Sequence, residues 1–110
     1  MPVIPTAPQA SCLLVGPTDF PERIKKRGYQ VRERNLQVNQ AQRTVAAAAG
    51  CAFFDTLAAM GGPLSILEWA KRTPPLAGRD MVHLTREGYQ VLGDAIADAI
   101  LPARTQPARP

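Results

Sequence analysis

Histidine is nearly absent: His83 is the one imidazole among 110 residues, so any proton transfer by histidine must pass through that ring. Cysteine is almost as scarce. Cys12 and Cys51 lack Cys-x-x-Cys spacing, which argues against a zinc site, and no metal or cofactor is expected. Each opens a short apolar run, so both are expected as buried free thiols, although parallel pairing of those runs would bring their backbones within reach of a bridge. No apolar run reaches the ~18 residues of a membrane-crossing helix, so no transmembrane segment is expected. The first residues, "MPVIPTAPQASCLLVG", lack the basic start and long apolar core of a signal peptide, which also favours reduced cysteines. Aromatic residues make up 5% of the chain, and residues 22–34, "ERIKKRGYQVRER", hold a single one. That stretch has six basic and two acidic residues, an excess equal to the net charge of +4. With no nucleic-acid motif in it, a solvated loop and no nucleic-acid partner are expected. An anion-binding surface is the alternative.

Hydrophobic residues at 45% and charged residues at 20% give a globular rather than a disordered balance. "SCLLVG" (11–16) and "CAFFDT" (51–56) read as short strands, the first buried on both faces. Between them, residues 35–49 read as a helix with Leu36, Val38, Ala41, Val45, Ala48 and Ala49 on its apolar face, stopped by Gly50. Strand, helix and strand form a crossover that makes the two strands parallel neighbours. Pro63 suits the first turn of a helix over 63–72, with Leu64, Leu67 and Trp69 turned inward. Thr85 can cap a last helix over 86–101, where Tyr89, Leu92, Ile96 and Ile100 recur on one face and Asp94 and Asp98 on the other. The proline-rich ends, 1–10 and 102–110, are expected to fray. Two parallel strands need cover on both faces and partners along their edges, so residues 11–101 read as part of a larger α/β domain.

The chemistry concentrates in "RDMVHLTREGY" (79–89), where Asp80 precedes His83 by three residues. A carboxylate at that distance can accept from one ring nitrogen, leaving the other to take a proton from a hydroxyl nucleophile. Asp19 and Asp55 follow the two strands and could serve as site carboxylates, but they read rather as turn formers or helix caps. Trp69 reads as a core or rim aromatic rather than a substrate platform.

The stretch "DMVHLTREGYQVLGDAI" resembles the last block of the SGNH hydrolases, also called GDSL esterases. "CLLVGPTD" is similar to that family's fourth strand, and "AQRTVAAAAGCAFFDTLAAMGGPLSILEWA" to its next helix, fifth strand and following segment, chiefly in bacterial members linked to cell-wall O-acetyl esters. The resemblance covers residues 11–101. It implies the C-terminal part of a flavodoxin-like three-layer α/β/α domain, with two parallel strands and about three helices. His83 would be the general base and Asp80 its orienting carboxylate, and the intact enzyme would act on an ester, such as an O-acetylated carbohydrate. Intact relatives are often exported. The family's nucleophile lies in a Gly-Asp-Ser motif that these 110 residues do not contain. Ser11 precedes a strand, Ser65 falls in a predicted helix, and Asn35 and Asn39 lie in "RNLQVNQ", unlike the family's Gly-x-Asn-Asp block.

The leading expectation is therefore a C-terminal esterase fragment, inactive alone and prone to self-association. Alternatives are a subunit completed by a separate N-terminal half and a non-enzymatic binding module using residues 22–34.

Overall fold

The computed structural model describes residues 11–101, so the two proline-rich ends expected to fray lie outside the described residues. In chain order the elements are β1 (Leu13–Val15), β2 (Glu22–Ile24), β3 (Gly28–Gln30), α1 (Glu33–Ala49), β4 (Ala52–Phe54), α2 (Thr56–Met60), α3 (Ser65–Lys71) and α4 (Arg86–Ile100). β1 and β4 are parallel, with Leu13 opposite Ala52 and Val15 opposite Phe54, as the crossover reading requires. Helix α1 connects them and packs on both. It ends where Gly50, at φ 76°, takes the left-handed conformation that glycine tolerates and returns its N–H to the carbonyls of Ala46 and Ala47.

Five expectations need correction, the last of them in α4. Residues 22–30 are not a solvated loop: β2 and β3 form an antiparallel hairpin, with Arg23 opposite Tyr29. The cysteines are not free. Cys12 and Cys51 form a disulfide across the amino ends of β1 and β4, where parallel pairing brings their Cα atoms to 4.8 Å. That separation lies within the usual range for a bridge.

Third, the inner face of α1 is not the apolar stripe. Asn39 and Ala46 are buried, whereas Val38 and Val45 are exposed. The helix is turned so that the Asn39 amide donates to Asp55 Oδ1 at 3.1 Å. Fourth, β1 is not buried on both faces. Leu13 and Leu14 are half-buried and Val15 is 46% exposed, since among the described residues only β4 pairs with it.

The core lies away from this sheet. Met60, Ile66, Trp69, Leu76, Ala77, Leu84 and Leu92 form one buried cluster drawn from α2, α3, the loop after it and α4. Trp69 is the core aromatic expected, and its indole N–H donates to the Met60 carbonyl at 2.9 Å. Helix α3 starts at Ser65, one turn position after Leu64 at φ 72°, and buries Ile66 and Trp69. In α4 the inward line runs through Gly88 and Leu92, while Tyr89 and Ile100 face outward. Gly88 explains the rotation. A Cβ there would stand 1.9 Å from the Leu76 carbonyl oxygen, so only glycine lets the helix lie this close to the preceding loop.

Candidate active site

The loop between α3 and α4 is closed on itself before it presents any side chain. Ala77 and Leu84 form an antiparallel bridge, Gly78 N–H donates to the His83 carbonyl at 2.9 Å, and Thr85 N–H donates to that of Leu76 at 3.0 Å. Thr85 caps α4 as expected: its hydroxyl oxygen accepts from Gly88 N–H at 3.1 Å and its proton goes to the Pro75 carbonyl at 2.7 Å.

Within this closed loop Asp80 makes an aspartate turn, its Oδ1 accepting the backbone N–H of Val82 at 2.9 Å and of His83 at 3.0 Å. Met81, between them, sits at φ 59°, a conformation that costs a branched or long side chain about 1 kcal/mol. Its side chain packs against the core cluster, which anchors the turn. The second carboxylate oxygen then meets the ring: His83 Nδ1 lies 2.6 Å from Asp80 Oδ2.

The hydrogen bond from the His83 ring, followed by the His83 and Val82 backbone N–H groups, lowers the Asp80 pKa from 3.8 to about 2. An ionised Asp80 accepts from Nδ1–H, so the neutral ring carries its lone pair on Nε2. Among the described residues nothing hydrogen-bonds Nε2, and the His83 side chain is 78% exposed. As a surface pair, Asp80 and His83 contribute little to stability. Their geometry instead fixes the orientation of the ring and leaves Nε2 at the surface.

The strand-end aspartates serve the fold. Asp19 is buried and accepts Ile66 N–H at 3.0 Å, capping α3. Asp55 caps α2 through Ala58 N–H at 2.9 Å. Burial alone would raise the Asp55 pKa, but the bonds from Ala58 and Asn39 and the Arg43 guanidinium bring it below the usual carboxylate value. Arg43 also lies over the Phe53 ring, 4.8 Å from its centroid. Asp55 is thus a local cap, as read, whereas Asp19 reaches a helix 47 residues further along the chain. Asn35 donates to the Thr18 carbonyl at 3.2 Å and Asn39 to Asp55, so both amides are tied to the fold and neither hydrogen-bonds Asp80 or His83. Ser11 is exposed beside β1 and the Ser65 hydroxyl is buried at the start of α3; neither hydrogen-bonds His83.

An apolar cleft of about 530 Å³ opens elsewhere, between the amino ends of β1 and β4 and the end of α4, lined by Leu13, Phe53 and Ile100 among others. Asp80 and His83 do not border it. No group of three or more His, Cys, Asp or Glu side chains suited to a metal occurs among the described residues. The anchoring role of Met81 was not read from the sequence, because nothing marks a methionine for the left-handed region.

An α/β fold with a parallel strand pair and an aspartate–histidine pair before its last helix is compatible with a hydrolase. The comparisons point the same way. One solved structure, "Peptidoglycan O-acetylesterase in action, 5 min", matches over 84% of this chain with 29% sequence identity and a TM-score of 0.70. The chain spans 26% of that protein's length. No protein-family profile matches the chain, and no curated protein does. The esterase-like fold therefore rests on structural likeness together with that level of identity.

Proposed function

We propose that residues 11–101 are the part of an SGNH-type serine esterase that carries its base, acting on the acetyl esters of a carbohydrate polymer. In this reading His83 Nε2 removes the proton from a serine hydroxyl as that oxygen attacks the ester carbonyl, and later returns it to the departing alcohol. Asp80 holds the ring and stabilises its positive charge. The observation that carries the reading is the 2.6 Å contact between His83 Nδ1 and Asp80 Oδ2, set in a chain that resembles a solved O-acetylesterase over 84% of its length.

The serine and the donors for the substrate oxyanion come from outside residues 11–101, either from another segment or from a second chain. The same source would supply strands along the free edges of β1 and β4. Without a nucleophile and oxyanion donors these residues have no route to the tetrahedral intermediate. The purified chain is therefore expected to hydrolyse a simple acetyl ester no faster than its His83→Ala variant. A burst of product that disappears in Ser11→Ala or Ser65→Ala would overturn this assignment.

A further inference from the structure

The cations of the hairpin are left over once the fold and the proposed site are accounted for. The base of the hairpin is clamped: Arg32 donates to the Phe20 carbonyl at 3.0 Å and the Pro21 carbonyl at 3.2 Å, with its guanidinium 3.9 Å from the Phe20 ring centroid. The tip is not. Lys25, Lys26 and Arg27 follow one another in the turn between β2 and β3, all exposed, and the exposed Arg23 lies across from Tyr29. Among the described residues none of these four side chains makes an ion pair or a hydrogen bond.

The turn itself is closed, with Arg27 N–H donating to the Ile24 carbonyl at 2.9 Å. Lys26 sits at φ 66°, a left-handed position that glycine occupies more cheaply. The tip thus holds adjacent like charges with no internal counter-charge and keeps a lysine where the backbone favours glycine. An anionic partner relieves the repulsion and accounts for the cations.

We propose that the β2–β3 hairpin is a docking finger for a polymer bearing repeated carboxylates, the chemistry that the peptide stems of peptidoglycan supply. This rests on the O-acetyl esterase reading above and extends it from the reacting bond to the polymer around it. Two observations favour such a polymer over nucleic acid. Tyr29, the hairpin's one aromatic, is half-buried and offers no stacking platform for the bases of a single strand. The Cys12–Cys51 bridge is of a kind that persists in oxidising compartments.

The test is cosedimentation of the full chain with purified insoluble peptidoglycan, with carboxyl-amidated peptidoglycan, and in parallel its binding to mixed-sequence duplex DNA. The affinity for unmodified peptidoglycan is expected to fall about tenfold or more in Lys25→Gln/Lys26→Gln/Arg27→Gln, and equally when the carboxyls are amidated. Added salt should weaken it further. Lys26→Gly relaxes the backbone while removing one charge, so it should keep the fold and still bind more weakly. His83→Ala should bind like the parent, which separates docking from ester chemistry: retained binding alongside a product burst that depends on Ser11 or Ser65 would sink only the esterase reading. Equal binding by the parent and the triple variant, equal binding to amidated material, or retention on DNA alone would overturn the proposal.

Discussion

Asp80 divides its two oxygens between the backbone turn and the imidazole, so one side chain both shapes the loop and selects the ring's tautomer. Its pKa in the fold, about 2, lies below the ordinary 3.8. A carboxylate lowered on folding stabilises the fold fully above its unfolded pKa, and that contribution fades as pH falls through the folded one. The Asp80 turn should therefore hold at neutral pH and loosen between about pH 4 and pH 2. The ring offers a sharper readout. Long-range nitrogen–proton spectra of the neutral imidazole should show the proton on Nδ1, and Asp80→Asn should move much of it to Nε2, as an amide donor faces the ring. An unchanged tautomer in that variant would mean that Asp80 does not orient His83.

At the scale of elements, the disulfide ties the starts of β1 and β4 across a sequence separation of 39. Loop-closure entropy for that span amounts to about 4 kcal/mol if the reduced unfolded chain is unstructured. Cys12→Ser/Cys51→Ser should consequently melt at a lower temperature than the oxidised chain, and reductant should lower the parent's midpoint toward it. Equal midpoints with and without reductant would contradict the bridge. The parallel pair β1–β4 and the helices around it were legible in the sequence because apolar runs, Gly50 and Thr85 mark them locally. The Asp80–His83 pair was legible for a similar reason, since three residues of spacing keep both groups in one turn. Other features depend on the surroundings. The β2–β3 hairpin has no alternating apolar pattern, because its strands gain nothing from burial at the tip. Helix α2 is five residues long and left only Asp55 as a start signal. The parallel pairing places both cysteines at one sheet end, a geometry that the composition of the first residues does not reflect. The rotation of α1 follows from the Asn39–Asp55 bond, which a count of apolar residues cannot anticipate.

At the scale of the whole molecule, the buried cluster belongs to the helices and the loop near the site, whereas the sheet stays thin. Val15 is 46% exposed, and an apolar cleft opens beside Leu13 and Phe53. Each large aliphatic side chain left in water forgoes roughly 1.5–3 kcal/mol of burial. Sedimentation of the purified chain should show concentration-dependent association, and calorimetry a broad transition. A monomer unfolding sharply above about 60 °C would show that these residues close their own core. The central claim, that His83 is the base of an esterase whose serine lies outside residues 11–101, is tested most directly by joining the chain behind a segment supplying the Gly-Asp-Ser block and its oxyanion donors, and measuring acetate release from an O-acetylated glycan. The fusion should turn over while the chain alone does not, and His83→Ala should slow the fusion by about 10²–10⁴-fold. Turnover by the fusion that is indifferent to His83 would contradict the account.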